Sequence, residues 1–189
     1  MRARNYQDIV TLFAKHGVSA DPMIVGLRNE EKAQADRFND HIIIAHGGQV
    51  EIYLATTDPG VYYTLRPLNK KGAAHLCYGF HKNGWMLGLH KGKPGLVQHG
   101  NKVTVWRDEN MNFAKDPGEI VESGYFGINF HRQGDDDDLI ERASAGCQVF
   151  RHEDDLEEFL DICRTYDKGI RRKRFSYLVV PREELKWVL

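Results

Sequence analysis

The sequence predicts an α+β, β-rich fold, and three observations carry that expectation. From Asp40 onward, apolar and polar residues alternate in short runs broken by Gly-Gly and Asn-Gly pairs, the grammar of a strand meander. Helical spacing of apolar residues occurs near each end of the chain. A length of 189 residues with 41% hydrophobic content suffices for one ordinary core, with room for a small appendage.

In chain order, residues 6–16 (YQDIVTLFAKH) set Ile9, Val10, Leu12 and Phe13 mostly on one helical face, with Gly17 as a stop. A second, charged helix is predicted over roughly 28–38, ending near Phe38. HIIIAH, Gly47-Gly48 and QVEIYLATT then read as a hairpin, with Val50, Ile52 and Leu54 alternating against more polar neighbours. A second hairpin is predicted from AHLCYGFH and WMLGLH around Lys82-Asn83-Gly84, because Asn-Gly supplies two positive φ values. NKVTVWRD is a further strand. HEDDLEEFLDICRTYDKG has acids in its first turn and Leu156, Phe159, Leu160, Cys163 and Tyr166 at helical spacing, a helix stopped by Gly169. RFSYLVVP is the last strand. The domain reading is a helical N-terminal region over 1–39 and a β-rich domain over 40–189, without internal repeats.

Composition excludes several functions. Lys+Arg 26 against Asp+Glu 27 leaves a formal charge of -1, so no global field recruits nucleic acid or anionic lipid. No run of eighteen apolar residues exists, and Gln, Asp and Lys interrupt the N-terminus before a signal-peptide core can form. The expectation is a chain made in the cytoplasm, without membrane insertion. Three cysteines, Cys77, Cys147 and Cys163, are too few and odd in number for a disulfide framework, so at least one thiol is free.

A nucleophilic thiol needs a base, access, and donors for the oxyanion it creates. Cys163 falls on the apolar stripe of its helix and Cys77 sits within a strand run, so both read as packed and inert. Cys147 follows Ser144-Ala145-Gly146, which leaves little bulk and gives the backbone unusual freedom. Either Ala-Gly-Cys opens a buried strand, AGCQVF, or it presents a nucleophile. His131 closes the apolar run GYFGINFH sixteen positions upstream, near enough for adjacent strands to bring the two together.

These residues resemble the cell-wall L,D-transpeptidases of the YkuD-like class, which carry His-Gly, a loop of some fifteen residues, and Ser-His-Gly-Cys followed by an apolar residue and Arg or Asn. His131 and Ser144-Ala145-Gly146-Cys147 look like a divergent version of that signature, within a resemblance that covers roughly residues 40–165. The resemblance implies a mixed β-sandwich and a cysteine enzyme without cofactor acting on peptidoglycan stem peptides. Cys147 would be the nucleophile and His131 the general base and acid. Ser144 would shape the turn, and the amides around Gly146 and Cys147 would hold the oxyanion. The sequence departs from the pattern at Arg132, Ala145 and Val149, which implies altered substrate handling; Arg132, Arg151 and His90 are the candidate substrate-binding residues. Together with the absent leader, the resemblance favours a hydrolase released by phage lysis or delivered by specialised secretion, cleaving peptides instead of cross-linking them. The alternative is a non-catalytic wall-binding or virion-associated module with a drifted site.

Other constellations compete for a role. Asp108, Asn110, Asn112, Asp116 and Glu119 occupy positions one, three, five, nine and twelve of an EF-hand-type calcium loop, but Phe113 stands where that turn wants Gly, so a polar connection is the reading preferred over a metal site. Asp135 to Asp138 read as a solvated spacer that keeps the His-to-Cys loop open and wet. Arg171-Arg172-Lys173-Arg174 lacks interleaved aromatics and reads as a solvated connection.

Overall fold

The computed structural model describes residues 2–31, 35–134, 138–168 and 173–188. Its strands run β1 (Met23–Arg28), β2 (Asp40–His46), β3 (Gln49–Thr56), β4 (Ala73–Leu76), β5 (Gly79–His90), β6 (Lys93–Gln98), β7 (Val103–Asp108), β8 (Val121–Gly124), β9 (Phe130–Arg132), β10 (Gln148–Phe150) and β11 (Phe175–Pro181). The helices are α1 (Arg2–Lys15), α2 (Val61–Leu65) and α3 (Glu153–Asp167), and a 3₁₀ segment spans Arg182–Val188. The α+β, strand-rich class holds. Its form is a closed barrel, β1-β11-β5-β6-β9-β10-β3-β2, flanked by a small sheet, β4-β7-β8.

The continuous apolar runs are explained by burial on both faces. In β1, β2 and β11, Ile24, Ile42, Ile44, Tyr177 and Val179 point into the barrel core. The intervening Met23, Val25, Leu27, Ile43, Leu178 and Val180 pack outward with Ile9, Leu12 and Phe13 of α1. A strand covered on both sides has no polar face, so alternation disappears. Helix α3 joins the barrel core through Leu156, Phe159, Leu160 and Cys163, the predicted stripe. Its predicted stop, Gly169, lies outside the described residues.

Four expectations change. The helix predicted over 28–38 is absent from its described residues: Arg28 ends β1 and Asp36 lies in a turn, while residues 32–34 lie outside the described residues. Since β1 lies between β11 and β2, residues on both sides of the expected boundary at 39/40 share one sheet. The Asn83-Gly84 hairpin is absent because β5 runs unbroken from Gly79 to His90. Asn83, at φ 52, sits where the strand kinks, its amide donating to Ser176 Oγ and its carbonyl accepting from Asn101 N. The real hairpin joins β5 to β6 at Lys91-Gly92, with φ values of 48 and 81. The Gly47-Gly48 hairpin forms as predicted, but with β3 in the opposite phase. Tyr53 and Ala55 face the barrel core while Ile52 is 40% exposed, because only its flanking residues have something to cover them.

Candidate functional site

Strands β9 and β10 run parallel, with Phe130 opposite Gln148 and His131 opposite Val149. Phe130, Gln148 and Phe150 point into the barrel. Strand alternation therefore sends His131, Val149 and the adjoining Cys147 to the outer face of the same strand pair. The Asn129 amide donates to Cys147 Sγ at 3.4 Å, which extends that pairing by one step. His131 and Cys147 are thus diagonal neighbours on one face, an arrangement the sequence spacing permitted without fixing.

The turn before Cys147 is built tightly. Gly146 has φ 124, and a Cβ there would lie 2.4 Å from the Ala74 carbonyl oxygen of β4. Ser144 Oγ donates to the Cys147 carbonyl at 2.8 Å and accepts the Gly146 amide at 3.1 Å, while the Ser144 carbonyl accepts from Gly60 N. Ser144 holds both ends of the turn. The expectation for the Gly146 amide needs correcting: it is spent on Ser144 Oγ, and the Cys147 N–H is the nearby donor with no acceptor among the described residues. Buried Gln148 braces the turn from inside, donating to the Gly146 carbonyl and accepting the Tyr177 hydroxyl at 2.9 Å.

Among the described residues of the loop before that turn, Ile140 is an anchor while Asp138, Glu141 and Arg142 are exposed. Asp36 Oδ1 accepts the Glu141 and Val61 amides, and Ile140 is 3% exposed beside Phe38 and Val149. Asp138 pairs with Arg151, and Asp135, Asp136 and Asp137 lie outside the described residues. Arg151 is thereby held away from the thiol and lines neither cavity described below. Arg132 lines the cavity at His131 and pairs with Glu153 at 3.0 Å.

Two adjoining cavities open on this face, one of about 450 Å³ at Cys147 and one of about 500 Å³ at His131. They share His90, Lys91, Arg142 and Ala143 as a common border. His90 stacks on His131 with ring centroids 4.6 Å apart and accepts from Asn129 Nδ2 at 2.9 Å on Nδ1. Asn129 thus bridges the thiol and His90, through its backbone on one side and its amide on the other. Asn129, Lys91 and Arg142 had no signal in the sequence, since they come from three separated segments that only the fold collects.

The electrostatics keep the resting pair neutral. Burial pushes the Cys147 thiol above its ordinary range, against a smaller opposing effect of the Asn129 amide. Burial also holds His131 down to about 4, despite its bond from Nδ1 to the Arg132 carbonyl at 2.7 Å. The resting pair is therefore a protonated thiol beside a neutral imidazole. Cys163 is fully buried and burial pushes its thiol up, in keeping with an inert role.

The calcium-loop residues turn their oxygens on their own loop. Asp108 accepts the Asn112 and Phe113 amides, Asp116 Oδ2 accepts from Asn110 and Asn112 side chains, and Glu119 Oε2 accepts the Asp116 amide. These bonds close a polar connection between β7 and β8. Among the described residues no cluster of three His, Cys, Asp or Glu side chains converges as a metal site. Lys173 donates to the Asp21 carbonyl, while Arg171 and Arg172 lie outside the described residues. Among the described residues no helix is long and apolar enough to cross a membrane. No family model, curated protein or solved structure matches the chain.

Proposed function

We propose that the protein performs cysteine-dependent acyl transfer on peptide substrates of the L,D-transpeptidase type, with peptidoglycan stem peptides as substrate and cleavage as the outcome. The observation that carries this reading is Cys147 and His131 on one face of a parallel strand pair, each lining one of two adjoining cavities, with a free amide at the thiol.

The neutral pair defines the sequence of proton movements. His131 accepts the thiol proton as Sγ attacks the substrate carbonyl carbon, so the thiolate need exist only during attack. The Cys147 N–H is the donor available to the oxyanion. Collapse breaks the C–N bond, and the imidazolium returns its proton to the departing amine. Water, activated by the same imidazole, then releases the acid and restores the thiol; an amine in its place would give a cross-link. His131 can hold its orientation because Nδ1 is anchored on the Arg132 carbonyl. Lys91 and Arg142 border the thiol with no ion pair among the described residues, which suits the carboxylates of a stem peptide.

Incubation with purified sacculi of both cross-link types, followed by mass spectrometry, tests the proposal. Loss of terminal D-residues or broken cross-links is expected, new dimers would move the reaction to transpeptidation, and Cys147→Ala should abolish all products while leaving the fold intact. Retained conversion by that variant would sink the reading. The raised thiol favours the alternative of a non-catalytic wall-binding module, which predicts binding to sacculi with no product from either protein.

A further inference from the structure

The two stacked histidines beside the thiol carry their protons on opposite nitrogens. His131 Nδ1 lies 2.7 Å from the Arg132 carbonyl oxygen, which can only accept, so that nitrogen holds the proton and Nε2 holds the lone pair. On His90 the proton is placed by Asn129. The Gln98 backbone N–H can only donate, and it lies 2.8 Å from one terminal atom of the Asn129 side chain, which fixes that atom as Oδ1. The other terminal atom is therefore Nδ2, which donates to His90 Nδ1 at 2.9 Å. His90 Nδ1 is thus an acceptor, and the neutral ring holds its proton at Nε2.

Asn129 has little freedom to reverse this arrangement. Its backbone amide donates to Cys147 Sγ at 3.4 Å and its carbonyl accepts the Gln148 amide at 2.9 Å, so its main chain is pinned on both sides. Protonation of His90 at Nδ1 would set N–H against N–H. Charge opposes it as well: among the described residues lining the two cavities, Glu141 is the one acid, against Lys91, Lys93, Arg107, Arg132 and Arg142. His90 therefore stays neutral. Among the described residues neither His90 Nε2 nor His131 Nε2 has a partner, and neither is sealed from solvent. Cys147 and His131 each line one cavity, whereas His90 lines both.

We infer that His90 is a substrate-binding donor, its Nε2–H donating to an oxygen of the bound peptide where the two cavities meet, and that Asn129 is the positioning residue that fixes its tautomer. This rests on the reading of Cys147 and His131 as an acyl-transfer pair. Labour is divided between the stacked rings. His131, with a lone pair at Nε2, is the ring able to take the thiol proton; His90 has its lone pair occupied by Asn129 and can only donate. The Cys147 N–H alone satisfies one lone pair of a carbonyl or carboxylate oxygen, and such an oxygen has two.

Proton–nitrogen NMR spectra of the imidazole rings in the full chain, assigned with His90→Gln and His131→Gln, read the tautomers directly. His90 should carry its proton on Nε2 and His131 on Nδ1. Initial rates of sacculus conversion then test the role. His90→Ala, checked for folding by circular dichroism, should lower the rate at least about tenfold, and His90→Gln, whose amide can donate from near the Nε2 position, should recover most of it. A loss that persists at saturating sacculi places the oxygen on the reacting carbonyl, and a loss that saturation abolishes places it on a carboxylate. Asn129→Asp sets an acceptor against Nδ1, so the ring must hold a proton there and keeps Nε2–H only as an imidazolium. That variant should convert sacculi near the parent's rate at about pH 5 and lose activity toward about pH 8, where the parent stays level, a change that a merely structural role would not produce. A parent His90 protonated at Nδ1, an undiminished rate in a folded His90→Ala protein, or a level profile in a folded Asn129→Asp protein would each overturn this inference alone. A parent chain that converts no sacculi would sink the acyl-transfer reading and this inference with it. Where the variants fail to fold, the spectra of the parent still decide the tautomer.

Discussion

Cys147 and His131 owe their protonation states to burial, and that sets what pH should do. An unperturbed thiol and imidazole would give an activity profile bending near 6.5, the ordinary histidine value. With His131 held down to about 4 and Cys147 pushed up, product formation should instead stay level between about pH 5 and pH 8, falling only as pH drops through about 4. Iodoacetamide should alkylate Cys147 slowly at pH 7 and faster as pH rises above 9. A rate profile bending at 6.5, or rapid alkylation at neutral pH, would show that the resting pair is already ionised. Proximity was partly legible here: sixteen positions between His131 and Cys147 allowed adjacent strands, and β9 and β10 do pair. Their ionisation was not, because it depends on what strands and loops pack over them.

At the scale of elements, the thiol is presented by a turn wedged between the barrel and the small sheet. Gly146 touches β4, Ser144 holds both ends of the turn, and Gln148 ties it to Tyr177 of β11. Gly146→Ala combines a positive φ of 124 with a Cβ driven against the backbone at Ala74, which has no side-chain freedom with which to yield. It should cost at least about 2 kcal/mol in a denaturant titration and reduce activity with it. An unchanged midpoint would mean that the turn relaxes without effort. Elements were legible where one face alone is buried, as in α3, or where a turn demands left-handed backbone, as at Gly47-Gly48. They were misread at Asn83-Gly84, where local turn chemistry is overridden by pairing of one long strand with β11 along one part and β6 along another.

At the scale of the whole molecule, the buried charges around Arg28 make stability depend on pH. Burial, with Asp58 adding to it, raises the Asp40 carboxyl to about 7 in the folded protein against 3.8 for the free group. Between those values the unfolded chain releases a proton that the folded chain retains, so this group's contribution to stability declines as pH rises and is gone above about 7. Asp58 is shifted the other way and acts only below its ordinary value, outside that window. His131, buried neutral, opposes Asp40 between about pH 4 and 6.5, because there the unfolded chain binds the extra proton. Comparing Asp40→Asn with the parent cancels the histidine contribution: the melting temperature of the variant relative to the parent should climb from pH 4.5 to about pH 7 and level off above it. A constant offset would mean that Asp40 titrates normally. By itself, the sequence determined the strand-rich class and the C-terminal helix, because these follow from side-chain type, local periodicity and turn stereochemistry. Only the tertiary structure decided that β1 lies inside the barrel, which amides remain free, and that Asn129, Lys91 and Arg142 meet at the thiol. Those outcomes rest on closing one sheet from strands distant in sequence, and on the desolvation that closure imposes.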